Sequence, residues 1–217
     1  MNAKELLAKV DHTLLKPTAT WEEIDNVANE AEQYGTATVV VPSSFVRDIS
    51  HSYHDMVRIC TVVGFPLGNT STTAKMAETA AALSDGAAEI DMVINIGALK
   101  GGDTNFVTEE IRQLKHLCGE RILKVIVETC FLTEDEKIAA CRCVKDAHAD
   151  FIKTSTGFGT GGATLEDIEL FKQHIGKKVK IKAAGGIRTR EDMEAFIAAG
   201  CDRLGMSSAI KILQDEL

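Results

Sequence analysis

Two lysines in this chain stand late in short apolar strands, where an amine could do chemistry. Lys153 closes the apolar run in "ADFIKTSTGFGTGG", directly before a threonine, serine and glycine cluster. Lys182 stands late in "KIKAA", just ahead of a Gly-Gly turn. A charge in the middle of a buried strand must be paired. A lysine where strand gives way to loop can instead hold its amine in a pocket. Two amines near each other each disfavour protonation of the other, so one can be free near neutral pH. A free lysine amine attacks carbonyls and forms a Schiff base. A carboxylate within reach can move protons, and "EIDMV" supplies Asp91. Together these groups suit carbon–carbon bond making and breaking beside a carbonyl.

Judged singly, each residue has a plainer explanation. A lone strand lysine is more often a rim or snorkelling residue, and Lys180, at a strand start, fits that case. A lone strand aspartate is often structural. His12 follows Asp11 but lacks a spaced ligand partner, so it reads as structural. It is the joint placement of Lys153, Lys182 and Asp91, late in separate strands, that favours catalysis.

The elements that must position them repeat as strand then helix. "TATVVV", "VRICTVV", "EIDMVI", "ILKVIV", "DFIKT" and "KIKAA" are short β-rich runs, each followed by a turn and a helically spaced segment. "DHTLL" and "RLGMS" are a candidate first and last strand. "TWEE", "TEDE", "TLED" and "TRED" each put threonine three residues before an acid, the pattern of a capping box. Eight strands alternating with helices predict a parallel (β/α)8 TIM barrel, an α/β fold, as a single domain over residues 1–217. Such barrels usually need ~250 residues, so this one has few insertions. The alternative is an open doubly wound sheet, but no G-x-G-x-x-G follows the first strand.

Alternation sorts the charges within the strands. Glu89 shares a face with Asp91, Phe151 with Lys153, and Lys180 with Lys182; Lys124, Ile126 and Glu128 share another. The opposite, apolar faces can pack on helices, leaving charges of both signs to point into the barrel. The C-terminal ends of barrel strands form the active-site face, and loops after strands seven and eight are a common phosphate site. "AAGGIRTRED" and "LGMSSAI" are glycine turns in those two places, where backbone N–H groups can approach an anion.

Composition narrows the partners. The net charge is −8 with no basic block, which argues against nucleic acid, whose binding rests on phosphate neutralisation. No apolar run is long enough to span a bilayer, and the N-terminus lacks a signal-peptide apolar segment. These features predict a cytoplasmic protein with no membrane partner. Six cysteines with no C-x-x-C spacing read as reduced core thiols. No clustered metal ligands are evident.

At these residues the sequence resembles the deoxyribose-phosphate aldolases, a class I aldolase family. The matching motifs are "DHTLLKP", "VVGFPLG", "EIDMVINIGALK", "KVIVET", "FIKTSTGF", "KIKAAGGIRT" and "RLGMSS", in the family's order and over nearly the whole chain. The resemblance implies reversible cleavage of 2-deoxy-D-ribose 5-phosphate to D-glyceraldehyde 3-phosphate and acetaldehyde, with no metal and no organic cofactor. It implies Lys153 as the Schiff-base lysine and Lys182 as the second lysine, which perturbs it. It further implies Asp91 as the acid working with that lysine through water, Asp11 as a supporting acid, and Thr156 beside the substrate. Gly157, Gly185, Gly186, Gly205, Ser207 and Ser208 match phosphate-binding positions, with Arg188 as an indirect contact. One segment departs. "VVVPSSF" stands where the family often reads like "VCVNP", with Val40 in place of a cysteine, a departure that bears on the shape of the pocket wall on that side.

Two rivals remain at this level. One is a barrel whose lysine holds pyridoxal phosphate. The other is a catalytically silent phosphosugar-binding barrel, against which the paired lysines argue. The partners expected are phosphosugar and aldehyde small molecules, and a homo-oligomer is compatible with the sequence.

Overall fold

The β-branched runs become strands because their inward and outward faces are both covered. The computed structural model describes residues 1–217. Its strands are β1 (Val10–Thr13), β2 (Thr38–Val41), β3 (Ile59–Val63), β4 (Glu89–Val93), β5 (Ile122–Ile126), β6 (Phe151–Lys153), β7 (Lys180–Ala184) and β8 (Arg203–Met206). All neighbours pair in parallel, and β8 returns to β1, so the sheet is a closed barrel in sequence order. Helices α1 (Ala3–Leu7), α2 (Trp21–Tyr34), α3 (Val46–Tyr53), α4 (Thr72–Ser84), α5 (Ile96–Lys100), α6 (Thr104–Cys118), α7 (Glu134–Asp146), α8 (Leu165–His174), α9 (Arg190–Ala199) and α10 (Ala209–Leu213) complete the chain. This is a (β/α)8 TIM barrel, with short α1 and α5 added to the basic alternation. No helix is long and apolar enough to cross a membrane.

Local signals start the helices. Thr20, Thr133 and Thr189 each form a reciprocal capping box with Glu23, Glu136 and Asp192. At Thr164 only half of the box forms: the threonine accepts from Asp167 N–H, while the Asp167 carboxylate takes the Lys137 ammonium at 2.6 Å. The shorter acid alone is not the reason, because Asp192 closes its box; Lys137 competes for Asp167.

The two strand faces do different work. Val39, Val41, Ile59, Ile90, Val125, Ile152 and Leu204 face outward and join the buried helix faces in the main core. Burying such a side chain is worth about 1.5–3 kcal/mol. Inside the barrel, Val40, Cys60 and Val62 form a separate small apolar cluster, with Leu15 and Phe65 packed on it. Val40 therefore forms part of an apolar wall at β2 and β3, and Pro42 leads into the short helical turn Ser43–Phe45. Charged side chains from β1, β4, β5, β6, β7 and β8 share the rest of the interior with a few uncharged ones. Its floor holds Phe151, with the Lys180 ammonium and the Arg203 guanidinium each 5.7 Å from the ring centroid. Lys180 is exposed there, as expected of a rim residue.

Candidate active site

Strand register brings the charges together. Lys153 on β6 is the register partner of Lys182 on β7, and Asp91 on β4 is the partner of Lys124 on β5. Lys153 Nζ and Lys182 Nζ both donate to Asp91 Oδ2 at 2.8 Å. Lys124 Nζ donates to the other oxygen, Asp91 Oδ1, also at 2.8 Å. Behind them Asp11 accepts from Lys182, Arg203 and the Thr38 hydroxyl, and Glu89 meets Lys124. Arg58, reaching in from the exposed rim, also holds Glu89 at 2.8 Å. Asp11, Glu89 and Asp91 thus each have cationic partners, the condition under which buried charge is tolerated.

The environments of the two lysines differ. Lys182 is fully buried, whereas Lys153 keeps 3% exposure and lines a cavity of about 230 Å3 at the C-terminal mouth. Burial lowers the Lys153 pKa, and the Lys182 charge lowers it further, against the pull of Asp91. Burial also works against the Lys182 ammonium, but Asp11 and Asp91 outweigh it and its pKa is raised. Asp91 is pushed up by burial, yet Lys124, Lys153 and Lys182 hold it well below the carboxylate range. The site therefore contains one amine biased toward the neutral form, one biased toward the cation, and a carboxylate bridging them. A neutral amine open to a cavity can add to a carbonyl, and the ammonium–carboxylate pair beside it can pass a proton.

Loops frame the cavity. Thr156, Gly157, Gly185, Gly205 and Ser207 line it with Lys153. Gly186, Arg188 and Ser208 stand outside the lining; the Arg188 side chain is exposed, and its backbone N–H is bound to Asp192. Gly185 has φ +80, and Gly162 packs so closely on its carbonyl that a Cβ at 162 would lie 2.3 Å from that oxygen. A Cβ at Gly205 would lie 3.0 Å from Lys182 Cε, so this glycine also makes room for the second lysine. His12 points away from the site and pairs with Glu30 at 2.7 Å. A larger cavity, about 680 Å3, opens at the opposite, N-terminal end near Lys145 and Lys178, away from every interior carboxylate.

Four residues escaped the sequence reading of the site. Lys124 was visible as an inward position, but only register shows that it shares Asp91. Cys60 is no ordinary core thiol: its Sγ lies 3.2 Å from Asp91 Oδ1 and 3.3 Å from Lys124 Nζ, and burial raises its pKa. Glu128, just past β5, has left-handed backbone (φ 55) and is buried. Its carboxylate accepts from the Thr156 hydroxyl and from the Thr156 N–H at 3.2 Å, tying the β6 loop down. Lys16, on the loop after β1, also lines the cavity.

The model of the DeoC/LacD family aldolases matches residues 6–214. The chain belongs to that family. It is an aldolase, a lyase acting on small molecules. This aldolase is 60% identical over 216 residues to a deoxyribose-phosphate aldolase of Clostridium botulinum, covering 100% of the chain and 98% of the relative. A solved structure described as a putative deoxyribose-phosphate aldolase from Coccidioides immitis is 37% identical with a TM-score of 0.95, covering 99% of this chain and 87% of that one. The tetrameric deoxyribose phosphate aldolase from Aeropyrum pernix is 30% identical with a TM-score of 0.92, covering 99% and 92%.

Proposed function

We propose that this enzyme reversibly cleaves 2-deoxy-D-ribose 5-phosphate to D-glyceraldehyde 3-phosphate and acetaldehyde through an imine on Lys153. The observation that carries the proposal is the pair of lysines on one Asp91 oxygen, only one of which reaches the cavity. The Lys153 amine adds to C1 of the open-chain sugar, and loss of water gives a protonated imine. A base takes the proton of the C3 hydroxyl; the C2–C3 electron pair moves toward the imine, and C3 becomes the aldehyde of glyceraldehyde 3-phosphate. The enamine left on Lys153 is protonated at C2 through water ordered by Asp91 and Lys182. Hydrolysis of the resulting imine releases acetaldehyde and restores the amine. Asp11 is a positioning residue in this scheme, holding Lys182 through its carboxylate. Thr156, Gly157, Gly185, Gly205 and Ser207 are proposed to surround the substrate, with Gly186, Ser208 and Arg188 reached only if the phosphate extends past the lining.

The functional unit is proposed to be the one barrel over residues 1–217. We read the enzyme as cytoplasmic, which its six unpaired thiols support. The direct test is acetaldehyde release from deoxyribose 5-phosphate by purified protein. Release that disappears in Lys153→Leu supports the reading; a folded wild-type protein that releases none contradicts it.

A further inference from the structure

The interior cations are already committed. Lys182 and Arg203 meet Asp11, Lys124 meets Glu89 and Asp91, and Lys153 meets Asp91. None is left to balance a phosphate dianion entering the cavity. Besides Lys153, the cavity is lined by one other cation, Lys16. Lys16 is exposed and forms no ion pair with any carboxylate of the chain.

The backbone carrying Lys16 is held on both sides. Before it, Leu14 N–H donates to Val40 O at 2.9 Å and extends the strand pairing by one bond. After it, Ala19 N–H donates to Lys16 O at 3.0 Å, closing a turn with Pro17 in the second position, where its fixed φ favours the turn. The capping box at Thr20 then anchors the start of α2. The lysine thus has a fixed base and a flexible four-carbon stem. Because β1 pairs with β8, with His12 beside Met206, the loop bearing Lys16 stands next to Ser207 across the seam. Gly185 lines the same cavity.

We propose that Lys16 is the side-chain cation that pairs with the substrate's phosphate, and that it sets the preference for phosphorylated over unphosphorylated sugars. The inference rests on the aldol reading above. It gives a specific role to a loop residue with no part in the imine chemistry. The turn amides near Gly185 and Ser207 supply hydrogen bonds to the anion, and Lys16 supplies the compensating charge.

The test compares kcat/KM for deoxyribose 5-phosphate and for deoxyribose in wild type, Lys16→Met, Lys16→Glu and Arg188→Met. An exposed ion pair is worth a modest factor, so Lys16→Met should lower the phosphate-to-sugar ratio about fivefold. Lys16→Glu, which reverses the charge, should lower it further, and Arg188→Met should change it less than either. A ratio that stays at the wild-type value in both Lys16 variants, or that falls mainly in Arg188→Met, overturns the assignment. A second readout needs no turnover: titration of inorganic phosphate, followed by the amide resonances of Gly185 and Ser207. Weaker binding in Lys16→Met supports the role, and equal binding overturns it. A wild type that cleaves neither sugar but binds phosphate through Lys16 would refute the aldol reading alone.

Discussion

Lys153 and Lys182 are register partners on adjacent strands, and their side-chain nitrogens lie 2.8 Å from the same oxygen of Asp91. The two lysines share that oxygen and differ in the rest of their surroundings. Lys182 has Asp11 as a second counterion, so it retains its proton; Lys153 has only its share of Asp91 and faces the cavity. The protonation of Lys153 is therefore set by two opposing neighbours, and removing each should move its titration in an opposite direction.

Removing Lys182 takes away the like charge and leaves Asp91 more fully to Lys153. Both effects favour the Lys153 ammonium, so its pKa rises. In Lys182→Leu the rising limb of kcat/KM should move to higher pH, with activity reduced roughly 10²–10⁴-fold by loss of the proton relay. Each unit of displacement corresponds to about 1.4 kcal/mol. A limb that moves to lower pH contradicts the assigned roles.

Removing the Asp91 charge does the reverse. In Asp91→Asn the ammonium of Lys153 loses its counterion and its pKa falls further, so the surviving activity should rise with pH earlier than in wild type. The same change strips a partner from Lys124 and Lys182, and breaking a buried ion pair costs about 3–5 kcal/mol. The variant should therefore melt well below wild type. The pH profile of the folded variant is the deciding measurement, and an upward shift of the limb would count against a charge-controlled amine.

Glu128→Gln tests the loop rather than the relay. The amide keeps the size of the carboxylate but accepts less strongly from the Thr156 N–H and hydroxyl. Hydrogen bonds to charged groups are worth about 1.5–3 kcal/mol, which bounds the expected loss of stability. Because Thr156 lines the cavity and Glu128 does not meet Lys153, KM for the phosphosugar should rise more than kcat falls. A fall in kcat with KM held would place Glu128 in the proton-transfer steps instead.

An imine can hold the electrons of the broken bond without a metal, and no group of three or more His, Cys, Asp or Glu side chains is arranged to bind one. Exhaustive EDTA treatment should leave the rate of acetaldehyde release within error of the untreated enzyme. Loss of that rate, restored by a divalent ion, would point to a metal-dependent aldolase mechanism.

Much of the frame was legible because strand periodicity is a local property. Glu89 with Asp91, and Lys180 with Lys182, could be assigned to common faces without knowing the fold, and the threonine caps marked helix starts within a few residues. What stayed hidden depends on distant partners. Lys124 reads as one inward lysine until the β4–β5 register sets it against Asp91. Lys16 lies in a loop, where no periodicity assigns a direction. Glu128 acts through a left-handed turn that its residue type does not announce. Arg188 sits in the expected glycine turn, yet its side chain is exposed outside the cavity.

Lys153, not Lys182, is proposed to carry the substrate carbon. Borohydride reduction in the presence of acetaldehyde, followed by peptide mapping by mass spectrometry, tests it most directly. The expected result is an ethyl group on Lys153, loss of activity in proportion to its formation, and no such adduct in Lys153→Leu. An ethyl group found mainly on Lys182, or inactivation without any lysine adduct, would contradict it.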